Sequence, residues 1–105
     1  MTRCYCYILE CADGTYYTGW AMNPEKRTQA HNKGRGARYT RTRLPVKLVY
    51  VEEQPDRKTA MRREIQIKRL GRDGKRKLIR GGWRTDARPT AEGDGGSAQV
   101  AESSV

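Results

Sequence analysis

Two short runs of β-forming residues, Cys4–Cys11 and Thr15–Trp20, flank Ala12-Asp13-Gly14 and commit the start of the chain to a tight antiparallel hairpin. The first run carries Tyr, Ile, Leu and Cys on both faces, which suits a central strand covered on two sides. Turn length decides which side chains share a face, because a one-residue slip sends every side chain to the other one. A two-residue Asp13-Gly14 loop pairs Ala12 with Thr15 and places Tyr7 and Tyr17 on opposite faces. A three-residue loop pairs Cys11 with Thr15 and Leu9 with Tyr17, and sets the two tyrosines diagonally on one face. Gly14 in third place suits the left-handed residue of a bulged three-residue hairpin, so this form is expected.

Asn23 is a good N-cap and Pro24 a good first helical residue, so a helix is expected from Pro24 to about Asn32, ended by Gly34. Arg27 and His31 lie four apart on one face of it. Alone, an arginine there reads as solvated and a histidine as half-buried structure. Next to a tyrosine hairpin the pair reads as a phosphate-binding site, since Arg offers a planar fork of donors.

The segment Lys33–Arg43 holds five cations, two glycines and Tyr39. Cations interleaved with hydroxyls and one stackable ring suit a nucleic-acid backbone, with Lys33, Arg35, Arg38, Tyr39 and Arg41 as the candidate contacts. Net charge points the same way. The chain carries +10 with a pI near 10.0, which favours nucleic acid over a membrane as partner. Residues 82–105 hold two arginines and four acids, so the basic character belongs to residues 1–81.

Pro45 leads into a third strand, Val46–Glu53, in which Val46, Leu48, Tyr50 and Glu52 alternate with the remaining residues. Asp56 caps a second helix whose Ala60, Met61, Ile65, Ile67 and Leu70 form a wide apolar arc, closed by Gly71. Glu64 falls between Ala60 and Ile67, on the core side, where a carboxylate needs a cation or donors. An ion pair with a nearby arginine is the plainest way to supply one. A short last helix is expected over Lys75–Ile79. From Gly82 the sequence loses periodicity, so 1–81 reads as one domain and 82–105 as a disordered acidic, Gly/Ser-rich tail. Only 35% of residues are hydrophobic and Phe is absent, so the core must be small. No signal peptide or bilayer-length apolar run is visible. Cys4, Cys6 and Cys11 have no disulfide or zinc spacing and read as free core thiols in the cytoplasm.

Tyr5-Cys6-Tyr7, then Tyr17-Thr18-Gly19, then Arg27 and His31 within NPEKRTQAHN, and finally Glu64 within AMRREIQIKRL make an ordered set. In this order they resemble the GIY-YIG nuclease superfamily, in particular its short stand-alone bacterial members, over roughly Cys4 to Ile79. The Ala37-Arg38-Tyr39-Thr40 stretch is similar to a loop of that branch and of the nuclease subunit of junction resolvases. Tyr5 departs from the family's first glycine and Thr18 from its usual aliphatic residue, both at backbone or packing positions. No counterpart of a C-terminal asparagine follows Leu70, and zinc-binding or helix-turn-helix modules are absent.

The resemblance implies an α+β fold, a three-stranded antiparallel sheet flanked by helices, and metal-assisted phosphodiester hydrolysis. It implies Glu64 as ligand to Mg²⁺ (or Mn²⁺), Arg27 on the phosphate oxygens, and Tyr7 or Tyr17 as the group that orients or deprotonates water, helped by His31. DNA is the favoured substrate over RNA, with no small-molecule cofactor. A relative that binds nucleic acid without turnover is the alternative, and a small interaction domain a more distant one.

Overall fold

In the computed structural model, which describes residues 3–85, the hairpin joins β1 (Cys4–Glu10) to β2 (Tyr16–Ala21), with Leu9 opposite Tyr17 and Tyr7 opposite Gly19. The loop has the expected three residues. Its Gly14 adopts φ 85° and donates to the Cys11 carbonyl at 2.9 Å, while the Cys11 N–H donates to Thr15 at 2.8 Å. Asp13 accepts from both the backbone N–H (3.1 Å) and the hydroxyl (2.7 Å) of Thr15, which fixes the turn locally.

β3 (Lys47–Gln54) pairs antiparallel with the other side of β1, so the sheet order is β2-β1-β3 and the fold is α+β as expected. Central β1 is buried on both faces. Cys4, Cys6 and Ile8 face one layer, and Tyr7 and Leu9, with Cys11 just beyond the strand, face the other. All three thiols are free and buried.

The simple alternation expected along β3 is broken. Ile8 pairs with Tyr50 but Leu9 with Leu48, so Val49 is the extra residue of a bulge. Val46 and Leu48 therefore join the Tyr7 layer, whereas Tyr50 crosses to the Cys6 layer.

α1 (Pro24–Asn32) starts where the sequence predicts, with the Asn23 side chain accepting from the Lys26 N–H at 3.0 Å, and Gly34 follows it at φ 79°. Asn32 bonds both the N–H (2.7 Å) and the carbonyl (3.0 Å) of Val46, which pins the end of α1 to the entry of β3. A one-turn α2 (Arg38–Arg41) forms within the basic segment. α3 (Arg57–Lys68) is capped by Asp56, whose side chain accepts from Thr59 at 2.8 Å.

Only Ala60 and Ile67 of the expected apolar arc are buried; Met61, Ile65 and Leu70 are 47, 49 and 44% exposed. A polar contact takes up the adjoining part of the interface. Arg63 donates to both oxygens of Glu52 (2.6 and 3.2 Å), which also accepts from Tyr50 (2.6 Å) and Gln54 (2.6 Å). Glu52 is buried but satisfied, as such a carboxylate must be.

α4 (Gly71–Arg80) is longer than expected and lays Leu78 and Ile79 on the Cys6 layer. Residues 82–85, placed by sequence in the tail, run beside β3. The Arg84 N–H donates to Val51 (2.8 Å), its carbonyl accepts from Glu53 (3.0 Å), and Trp83 packs on the Tyr7 layer. The rest of the expected tail lies outside the described residues. Among those described, the outer edge of β2 has no strand partner, and no helix is long and apolar enough to cross a membrane.

Candidate active site

The β1 register turns Tyr7 toward α1, and its ring lies across the backbone of Gly19. A Cβ at Gly19 would come within 2.7 Å of the phenol oxygen, so the missing side chain is what lets the phenol reach toward the β2 edge. Tyr17 sits on the same face with its ring centroid 6.5 Å away. The N-cap at Asn23 sets the phase of α1 so that His31 turns inward, fully buried, with its ring 6.2 Å from that of Tyr7 and 5.2 Å from that of Tyr17.

Three short contacts define the state of His31. Nε2 lies 3.1 Å from the Tyr7 hydroxyl, Nδ1 lies 2.8 Å from Thr40 Oγ1, and the Thr40 hydroxyl donates to the Ala37 carbonyl at 2.9 Å. Thr40 has one proton and the Ala37 carbonyl takes it, so Nδ1 carries the ring hydrogen and donates to Thr40. Nε2 is then the acceptor of the Tyr7 O–H. The Ala37 N–H, 3.4 Å from Nδ1, favours the other tautomer, but it is the longest of these contacts and is outweighed. Gly36 closes the arrangement: a Cβ there would fall 2.1 Å from Nδ1.

Charge in the site follows from burial. Desolvation, with the positive charge of Arg27, pushes His31 down to about 4, so the imidazole is neutral near pH 7. Burial pushes Tyr7 up to about 12, with Arg27 pulling the other way and Glu64 adding to the rise. Tyr17 is also raised, first by burial and then by Glu64, against the pull of Arg27. Both phenols thus feel the exposed guanidinium from α1 and the carboxylate from α3 on the opposite sheet face. Of the five residues singled out in the sequence, His31 touches the tyrosine pair and Arg27 and Glu64 act on it by charge. Glu64 is 19% exposed, and its partner is not an arginine but Lys68, one helical turn on at 3.5 Å.

The basic segment lies at the border of this site. Lys33, Arg35, Arg38 and Arg41 are exposed, and among the described residues none has a carboxylate within 4.0 Å. Tyr39 stacks on Tyr17 (6.2 Å, 25°) and carries the Arg43 guanidinium 3.9 Å from its ring centre; Arg43 in turn bonds Asp13 at 3.0 Å. Gly36, Thr40 and Arg43 are neighbours of the candidate site that sequence reasoning missed. A helical reading of 38–41 could have found Thr40, the one residue of that turn that points inward.

Among the described residues no three His, Cys, Asp or Glu side chains gather as a metal cluster. One half-buried carboxylate whose charge is felt by both phenols offers hard oxygen donors only. It fits an ion that keeps several waters and takes phosphate oxygens, as Mg²⁺ does, and does not fit zinc.

A model of the GIY-YIG catalytic domain matches residues 3–77. A UPF0213 protein of Syntrophus aciditrophicus is 51% identical over 81 residues, 76% of this chain and 93% of that one. A second UPF0213 protein, from Clostridium perfringens, is 55% identical over 75 residues, 71% of this chain and 81% of that one. The solution structure of protein EF2693 from E. faecalis is similar in fold, with a TM-score of 0.53 and 35% identity over 77% of this chain and 86% of that one.

Proposed function

The chain belongs to the GIY-YIG catalytic-domain family, and on that premise we propose that it is a divalent-metal-dependent endonuclease that hydrolyses phosphodiester bonds in DNA, in the cytoplasm. The observation that carries this reading is the buried Tyr7–His31–Thr40 chain of hydrogen bonds, with Arg27 and Glu64 acting on its outer phenol.

The chemistry runs inward along that chain. A phenol raised to about 12 is no base by itself at neutral pH. Tyr7, however, gives its O–H to the lone pair on His31 Nε2, which leaves the phenol oxygen's own lone pairs to orient the attacking water and accept its hydrogen bond. Arg27, beside the same oxygen, has donors that suit the non-bridging phosphate oxygens. Thr40 holds the imidazole in the accepting tautomer. Tyr17, half-buried and stacked on Tyr39, forms the wall against which substrate rests. Glu64 is the residue to hold Mg²⁺ or Mn²⁺, whose chemistry is to offset charge on the phosphoryl group and the leaving oxygen. Lys33, Arg35, Arg38 and Arg41 hold the backbone outside the site.

Cleavage of labelled single-stranded, duplex and branched DNA with Mg²⁺ or Mn²⁺ tests the proposal. Wild type is expected to cut, with Glu64→Gln, Arg27→Gln and Tyr7→Phe each slowed about 10²-fold or more. Thr40→Val should lower kcat less, and Thr40→Ser should restore it. The small ligand set favours one competing reading, a binding protein without turnover. Tight binding by a wild-type chain that cuts no substrate with either metal would establish that reading instead.

A further inference from the structure

The segment 57–80 carries eleven cations against two acids, half of the Lys and Arg of the chain, and the site described above uses none of these cations. Arg63 is taken up by Glu52 and Lys68 by Glu64. On α4, Leu78 and Ile79 face the core, while Arg72, Arg76 and Arg80 stand exposed at four-residue intervals. Four residues advance a helix by about 6 Å, so the three guanidinium groups form a row rather than a point. No carboxylate lies within 4.0 Å of any of them among the described residues. Lys75, on the inner side, is held below its usual range by burial and, less, by the charge of Lys68.

Position gives the row its meaning. Tyr16 and Tyr17 point to opposite faces at the start of β2. The Arg72 guanidinium lies 5.8 Å from the Tyr16 ring centre, whereas Tyr17 stacks on Tyr39, which carries Arg43, on the other face. Lys68, just before α4, touches Glu64. Two cationic surfaces, Lys33–Arg43 on one face and α4 on the other, therefore lie on opposite sides of the sheet, and the α4 row begins, at Arg72, beside the end of β2 that carries Tyr16 and Tyr17.

We propose that Arg72, Arg76 and Arg80 of α4 form a second nucleic-acid contact surface on the Glu64 side of the site, so that the substrate is a duplex presenting backbone to both faces of the sheet. The placement rests on the nuclease reading; the contact itself does not. One strand lies along Lys33–Arg41 and enters the site, and its complement runs along α4. A lone single strand fills only the first surface.

The test reads binding by fluorescence anisotropy in a Glu64→Gln background without divalent ions, on a labelled duplex and on one of its strands, across a salt series. The combined variant Arg72→Gln, Arg76→Gln, Arg80→Gln is expected to bind duplex about tenfold more weakly and to flatten the salt slope by about 2–3. On the single strand it should match the parent within about twofold. The control variant Arg35→Gln, Arg38→Gln, Arg41→Gln should lose affinity for both.

Unchanged duplex affinity and slope in the α4 variant overturns the proposal, and so does an equal loss on the single strand. Loss of binding to anionic phospholipid vesicles with duplex binding intact assigns the row to a membrane and also overturns it. Melting temperature reports whether the triple variant folds; if it does not, the single variants are read by their slopes, each flattened by about 0.9. Because no turnover is involved, a wild type that cuts nothing would sink the nuclease reading and leave this one standing.

Discussion

Burial of His31 without a carboxylate partner makes its charged form costly, and the cost appears in stability as pH falls. An unfolded histidine titrates near 6.5, but this one is held at about 4. Below 6.5 the unfolded chain takes up a proton that the folded chain refuses. Stability is therefore full above that pH and declines toward pH 4, by up to about 3 kcal/mol. Urea unfolding at pH 7 and pH 4.5 should show this loss, and His31→Asn should show less of it. Thr18 gives a prediction of opposite sign. Its hydroxyl is buried and has no hydrogen-bond partner among the described residues. Thr18→Val keeps the shape and removes the unsatisfied group, so it should stabilise by about 1 kcal/mol and raise Tm by about 4–8 °C; a lower Tm would contradict the orphaned hydroxyl. At this scale the sequence was a good guide where geometry is local. Tyr7, Tyr17, Arg27 and His31 follow from one turn and one cap. Thr40 was missed because the basic segment reads as a loop; a helical reading of 38–41 turns Thr40 inward, but that it meets His31 depends on α2 folding back over α1.

Helix starts were the most readable elements, because Asn23 and Asp56 act through side chains on N–H groups three residues on. Strand phase was harder. Along Val46–Val51 apolar residues sit on both sides of the bulge, and no Gly or Pro marks Val49, so the shift that separates Leu48 from Tyr50 leaves no trace in the pattern. The apolar arc of α3 failed for a related reason. Periodicity records which residues could be buried, but the sheet beneath α3 presents Glu52, and Arg63 takes the place that Met61 and Ile65 were expected to fill. That exchange has a measurable consequence. Arg63→Met leaves the Glu52 carboxylate buried with only Tyr50 and Gln54 as partners, and should cost about 3–5 kcal/mol in urea unfolding. Adding Glu52→Gln should recover part of this; if it recovers none, the pair is not the source of the loss.

Across the whole molecule, the site joins elements that the sequence keeps far apart. Helical spacing was enough to turn Glu64 inward, but its pairing with Lys68 rather than an arginine was not legible. Nor was the strap at 82–85, since the loss of periodicity from Gly82 reads as the start of a low-complexity tail. Trp83 packs on the Tyr7 layer and donates to the Val49 carbonyl at 3.3 Å, next to the bulge. Trp83→Ala should lower stability by about 2–3 kcal/mol, less than for a fully buried tryptophan because the residue is only partly buried. A thermal melt unchanged by that substitution would mean the strap adds nothing to the fold. Gly19 and Gly36 have a different kind of use. Each occupies a place where a single methyl would collide with Tyr7 or His31. A genome survey can apply that as a two-position filter: a chain with any larger residue at either place must hold its phenol or its imidazole elsewhere, and can be set aside before anyone purifies it.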